Sequence, residues 1–163
     1  QALAGHQMGR EVEAATDGLA DVSIMMHQGG FMATAVDKAA AEVGQRDSAG
    51  HRAVDDGAVA YRLGRSAARL EAALSAPSIY GRVALSQTMR DIAPDLMDLL
   101  GTASTLPVGT DGAPDDGAAE YIYRFAPLSG IYGGTLEVFR NMIAQYVLGL
   151  GKPAYAPPVK KPT

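Results

Sequence analysis

Ile131-Tyr132-Gly133-Gly134-Thr135-Leu136-Glu137-Val138-Phe139-Arg140-Asn141, continuing through Val147-Leu148-Gly149-Leu150-Gly151, joins a glycine turn directly to an amphipathic helix. Gly133 and Gly134 allow positive φ and let a ligand approach the backbone with no Cβ in the way. Thr135 is the natural N-cap, and Glu137 puts a negative charge in the first turn, where it suits the helix dipole. Phe139, Met142, Ile143, Tyr146, Val147 and Leu150 recur at three- and four-residue spacing, which predicts one buried apolar face. Physics alone leaves two readings open. One is a capped core helix, which the spacing favours; the other is a helix start whose free N–H groups hold an anion such as phosphate.

Upstream, the apolar pattern is helical throughout. A first long helix is expected from about Leu19 to Val43, with Ile24, Met25, Met26, Phe31, Met32, Ala35 and Val36 as its apolar residues and Gly29-Gly30 as an interruption. Residues 45–50 read as a turn. A second helix is expected from about Arg52 to Ser75, with Val59, Leu63, Leu70 and Leu74 on one face. Pro77 starts a third, which runs to about Leu100 with Ile79, Val83, Met89, Ile92, Leu96 and Leu99 buried and a kink at Pro94. Residues 102–117 hold the densest Gly, Pro, Asp and Thr content and predict a surface loop, followed by a short helix from Ala118 to Phe125. No alternating strand pattern stands out, so the expected fold is all-α, an antiparallel bundle of four to five helices. Residues 1–18 are expected as a lead-in, 19–152 as the bundle, and 153–163, with Pro157-Pro158, as an extended mobile tail.

Composition excludes several function classes. The 163 residues suffice for one domain with a hydrophobic core, and the chain opens on Gln1, which fits a fragment or a processed product. With a formal net charge of -4 and scattered basic residues, a nucleic-acid surface is not expected. Zero cysteines remove disulfides, thiol catalysis and thiolate metal sites together. No apolar run approaches a membrane span and no signal-like start is visible, so a cytoplasmic location is the expectation. His6, His27 and His51 have no metal-ligand spacing, and no metal site is expected. Met25, Met26 and Met32 are read as core filling ahead of an adaptable acyl pocket.

The stretch from Ile131 to Leu150 resembles the C-terminal signature of the acyl-CoA dehydrogenases, I-Y-(E or G)-G-T-S-E-I-Q-R-N-I-I-A-E-R-V-L-G-L. Ile131, Tyr132, Gly134, Thr135, Glu137, Arg140, Asn141, Ile143, Ala144, Val147, Leu148, Gly149 and Leu150 match it in order without a gap. Leu136, Phe139 and Gln145-Tyr146 depart from it. The resemblance implies the family's C-terminal helical domain and its reaction. In that reaction FAD takes a hydride from the β-carbon of an acyl-CoA thioester while a glutamate removes the α-proton, and a separate electron-transfer acceptor reoxidises the flavin. It also implies that Gly133, Gly134, Thr135 and Glu137 approach the FAD, with the Gly133 backbone N–H near the thioester carbonyl. The family's Arg-x-x-Phe-Gly segment, which reaches a neighbouring subunit's FAD, has no clear match.

The family carries its catalytic glutamate at one of two positions, and the resemblance finds neither filled. The residue after Ile131-Tyr132 is Gly133, which has no carboxylate. The second position lies on the first long helix, where Ser23-Ile24-Met25-Met26-His27-Gln28-Gly29-Gly30 best resembles T-L-A-H-E-R-G and puts Gln28, or with a one-residue slip Gly29, in place of Glu. Asp21 is seven residues away, about 10 Å along the axis, and Asp37 farther still; both read as solvated helix charges. His27 points about 100° away from Gln28 around the helix and is a poor substitute.

This pattern resembles one subunit of the heteromeric acyl-CoA dehydrogenases of actinobacterial steroid side-chain degradation, in which one subunit keeps the base and its partner does not. It implies an acyl-CoA substrate, with a steroid side-chain ester as the example the resemblance offers, and a partner subunit carrying the catalytic Glu. Two alternatives stand beside it: a non-enzymatic helical interaction module that kept the fold without the chemistry, and an intact enzyme whose base lies in the poorly aligned segment.

Overall fold

The computed structural model describes residues 22–76 and 78–151, with side chains except at 22–26 and 78. The lead-in, Pro77, Asp21, His6 and the proline-rich tail lie outside the described residues. The expected core roles of Ile24, Met25 and Met26 concern side chains that are not described either.

Five α-helices follow in order: α1 (Val22–Val43), α2 (Gly57–Leu74), α3 (Ser78–Leu100), α4 (Ala118–Ser129) and α5 (Leu136–Met142). Among the described residues there is no strand, only an isolated bridge between Arg46 and Arg52. The all-α expectation holds. The ion pairs report the helix directions: Arg62 meets Asp98 and Asp95, Arg65 meets Asp95, and Arg69 meets Asp91, so α2 ascends as α3 descends. Gly29 near the start of α1 faces Leu74 at the end of α2, and Arg82 near the start of α3 reaches Ser129 at the end of α4. These neighbouring pairs are therefore antiparallel.

Helix α3 is the centre of the bundle and packs against all four others. Its Leu85, Met89, Ile92 and Leu96 are buried, and they close over Met32 and Ala35 of α1, Leu70 of α2 and Ile122 of α4. Val83 and Leu99, expected on the same stripe, are only half-buried. Helix α3 runs without interruption through Pro94, which is exposed.

Local chemistry sets most boundaries. Asp56 caps α2, accepting the Ala58 N–H at 2.7 Å and the Val59 N–H at 3.3 Å, so that helix starts at Gly57 and the residues nearer Arg52 form a 3-10 turn instead. Helix α1 is continuous across Gly29-Gly30. Gly29 is useful there, because the β-carbon it lacks would stand 2.6 Å from Leu74 Cδ2. Helix α4 extends four residues past its expected end at Phe125, and Pro127 in its last turn is exposed.

The segment 102–117 is less of a surface loop than expected. It holds two 3-10 turns, and Ser104, Asp115 and Gly117 in it are buried. Asp115 accepts the Ala119 N–H at 2.7 Å and so satisfies the start of α4; burial pushes its carboxyl above the usual range, against the pull of the Ala119, Gly117 and Ala118 amides.

One expectation fails at the C-terminal end. Of the predicted buried face, Phe139 is buried and Met142 and Ile143 are half-buried, but Tyr146, Val147 and Leu150 are exposed at 47%, 45% and 74%. Helix α5 stops at Met142 and a π-turn carries Ile143–Val147, and the change of helical pitch takes the last apolar side chains off the buried face.

Candidate functional site

The glycine turn is built at the end of α4. Gly130 and Ile131 close the helix through hydrogen bonds to Pro127 and Leu128, and the Gly134 N–H donates to the Ile131 carbonyl at 3.3 Å. Gly133 has φ 68° and Gly134 φ 119°, both in the region that favours glycine. The two glycines differ in surroundings. A β-carbon on Gly133 would meet nothing within 4 Å, whereas one on Gly134 would stand 3.3 Å from Phe139 Cε2.

Helix α5 then starts as a self-contained cap. The Leu136 N–H donates to the Gly130 carbonyl at 3.1 Å, and the Val138 N–H donates to Thr135 Oγ1 at 3.4 Å. Glu137 accepts from its own N–H and interacts with the Thr135 hydroxyl, which holds its carboxyl below the usual glutamate range. These contacts use the first amides of the helix. Of the two readings of this stretch, the geometry gives the capped helix, and the expected free N–H groups for an anion are already engaged. The open face belongs to Gly133 and to Ile131, which is 60% exposed.

Gln28 is brought to this turn from the far end of the chain. It is 1% exposed, and neither amide atom has a hydrogen-bond partner of good geometry. Its amide nevertheless lies close enough to the Tyr132 hydroxyl to pull that group's pKa down; burial, the dominant influence, still leaves it raised. Of the two positions singled out by resemblance, Gln28 lies beside the Tyr132 hydroxyl, and Gly133 follows Tyr132 in the chain and faces open space. Neither offers a carboxylate. His27 beside it is exposed, its ring edge-on to Phe31 at 4.4 Å, and Asp37 is exposed to solvent. Phe31, Tyr121 and Phe125 continue the aromatic contacts to Tyr132, whose ring lies 6.0 Å from that of Phe125.

Sequence reasoning missed Arg82. It is 3% exposed and donates to the Ser129 carbonyl and the Tyr132 carbonyl, each at 2.7 Å, and to Ser86 Oγ. Its guanidinium lies 5.2 Å from the ring centroids of both Tyr132 and Phe139. Among the described residues no Asp or Glu pairs with it, and burial lowers its pKa from the usual arginine range.

No group of three or more His, Asp or Glu residues among the described residues is arranged to hold a metal ion, and no helix among them is long and apolar enough to cross a membrane.

An all-α bundle whose last helix is entered through a glycine turn is the architecture of the acyl-CoA dehydrogenase C-terminal domain, and the model of that domain family matches residues 76–148. The matched segment takes in α3, α4, the turn and α5 and is similar to that family's domain; Gln28 lies outside it. The fold is also similar to a chain of the ChsE4-ChsE5 complex from Mycobacterium tuberculosis, with a TM-score of 0.67 and 25% identity over 77% of this chain. That likeness covers 36% of the solved chain, so this chain spans about a third of its length. No curated protein sequence matches significantly.

Proposed function

We propose that this chain is the C-terminal helical part of an FAD-dependent acyl-CoA dehydrogenase subunit that lacks its own catalytic base and works with a partner subunit carrying the glutamate. The observation that supports it is that neither Gln28, buried beside the Tyr132 hydroxyl, nor Gly133, the next residue along the turn, offers a carboxylate where the family pattern places its base. The likeness to a chain from a two-component complex supports a heteromeric assembly. A wide acyl group such as a steroid side-chain CoA ester is the substrate class proposed, with an electron-transfer acceptor completing the cycle.

The residues present fit a flavin at one wall of the site. Gly133 leaves the outer face of the turn free of any β-carbon, which permits close approach by a planar ring. Gly134, Thr135 and Glu137 fix the backbone behind it through the Phe139 contact and the cap. The chemistry a bound flavin would supply is acceptance of a hydride from the β-carbon. This chain binds and orients; the α-proton leaves to the partner's carboxylate.

A second reading, the interaction module without chemistry, draws on the engaged amides of α5 and on the exposed Ile131, Val138, Tyr146 and Leu150. The two separate in one experiment. The full chain is recovered from its native host with whatever co-purifies, its visible spectrum is recorded, and flavin reduction by acyl-CoA is followed in a single turnover. Bound flavin, reduced by substrate and lost from Thr135→Val and Glu137→Ala variants, supports the dehydrogenase subunit. A flavin-free assembly supports the module.

A further inference from the structure

Arg82 presents a problem that packing alone does not explain. Burying a guanidinium without a counter-charge is costly, and an aliphatic residue would fill the same space on α3 at no such cost. What the position demands is a fork of donors. Ser129 is the last residue of α4, and its carbonyl is one of the groups a helix end leaves without an intrahelical partner. The Ser129 carbonyl receives both Arg82 Nη1 and the Ser86 hydroxyl, the latter at 2.8 Å, while Arg82 Nη2 takes the Tyr132 carbonyl. The negative end of the α4 dipole supplies part of the compensation that a carboxylate would otherwise give. The guanidinium carbon lies 5.2 Å from the ring centroids of both Tyr132 and Phe139, and Phe139 in turn packs on Gly134. One side chain therefore contacts the end of α4, the turn and α5.

We propose that Arg82 is the positioning residue of the glycine turn, acting through the Ser129 and Tyr132 carbonyls and the Phe139 ring to hold Gly133 and Gly134 with the outer face of the turn open. That the ligand received there is a flavin rests on the reading above; the fixing of the turn does not. A lysine keeps the charge but lacks the planar fork, so it reaches fewer of the acceptors. Methionine keeps much of the volume and loses every donor.

The test compares the full chain, as the assembly recovered from its host, with its Arg82→Met and Arg82→Lys variants by amide hydrogen exchange and flavin titration. In Arg82→Met the amides of residues 131–136 should exchange roughly 10- to 100-fold faster, the range implied by losing hydrogen bonds from a charged donor. The central amides of α1 and α2 should stay protected, and flavin should bind at least about tenfold more weakly. Arg82→Lys should recover part of both effects. Turn exchange unchanged in the variants, or protection lost equally in every helix, overturns the proposal and makes Arg82 an ordinary core residue. If Arg82→Met does not fold, Arg82→Lys decides alone, because its turn should still exchange faster. Faster exchange at the turn in an assembly without flavin upholds Arg82 and sinks the flavin reading only.

Discussion

Gly134 lies under the ring of Phe139: the β-carbon it lacks would stand 3.3 Å from Cε2 and 3.4 Å from Cζ. With φ 119° it also occupies backbone space that other residues rarely adopt. Gly133 has the commoner left-handed φ of 68° and open space around it. Gly134→Ala should therefore cost about 2–3 kcal/mol and Gly133→Ala about 1 kcal/mol, since only the first combines strain with a collision. Urea midpoints of the two variants check the order; equal losses would mean that the Phe139 contact is not what requires the second glycine.

Gln28 is buried with an amide that makes no good hydrogen bond. Replacing such a group by an apolar one of similar shape is nearly neutral, so Gln28→Met should change stability by no more than about 1 kcal/mol. In the recovered assembly it should leave single-turnover flavin reduction unaffected. A large drop in that rate with flavin still bound would put chemistry in this chain. Gln28→Glu, by contrast, buries a carboxylate and should destabilise the fold more at neutral pH than in mild acid.

Asp95 joins α2 to α3 through Arg62, at 2.8 Å, and Arg65. Burial pushes its carboxyl up, but the hydrogen bonds from the two arginines outweigh this and hold it below the ordinary value of 3.8. A depressed folded-state pKa means stability that is present above the unfolded value and lost as pH falls through the folded one. Asp95→Asn should thus cost about 1 kcal/mol at pH 7, the pairs being partly exposed, and the gap to wild type should close below pH 3.8. Thermal midpoints at neutral and acid pH measure it.

Gly29 and Gly117 make a second contrast. A β-carbon at Gly117 would stand 2.4 Å from the Val108 backbone N at φ 73°, and backbone does not yield cheaply. Gly117→Ala should cost about 3 kcal/mol or more. At Gly29 the collision at 2.6 Å is with the tip of Leu74, a side chain 43% exposed and free to move. There the gain in helix propensity, close to 1 kcal/mol, offsets the shift, and Gly29→Ala should be within about 1 kcal/mol of wild type by chemical denaturation.

Much of the fold was legible in the sequence because it rests on local rules. The 3.6-residue apolar period gave the described part of α1, α3 nearly to its ends, and α2 with a start five residues too early, and Thr135 is the N-cap of α5 as its position before the helix predicts. Periodicity names a face without saying what covers it, which is why Tyr146, Val147 and Leu150 were expected inside and stand exposed. Of the site, the turn was legible and Arg82 was not, because its acceptors are backbone carbonyls that carry no residue identity.

By itself the sequence determined an all-helical chain, a glycine turn feeding a capped helix, and the absence of a carboxylate at Gln28 and Gly133, since each follows from residue type and short-range spacing. Only the tertiary structure decided that Gln28 comes to Tyr132 and that Arg82 braces the turn from α3. The physical reason is separation along the chain: antiparallel packing of helices brings together residues far apart in sequence, and the interactions that hold them act between groups whose proximity no local pattern encodes.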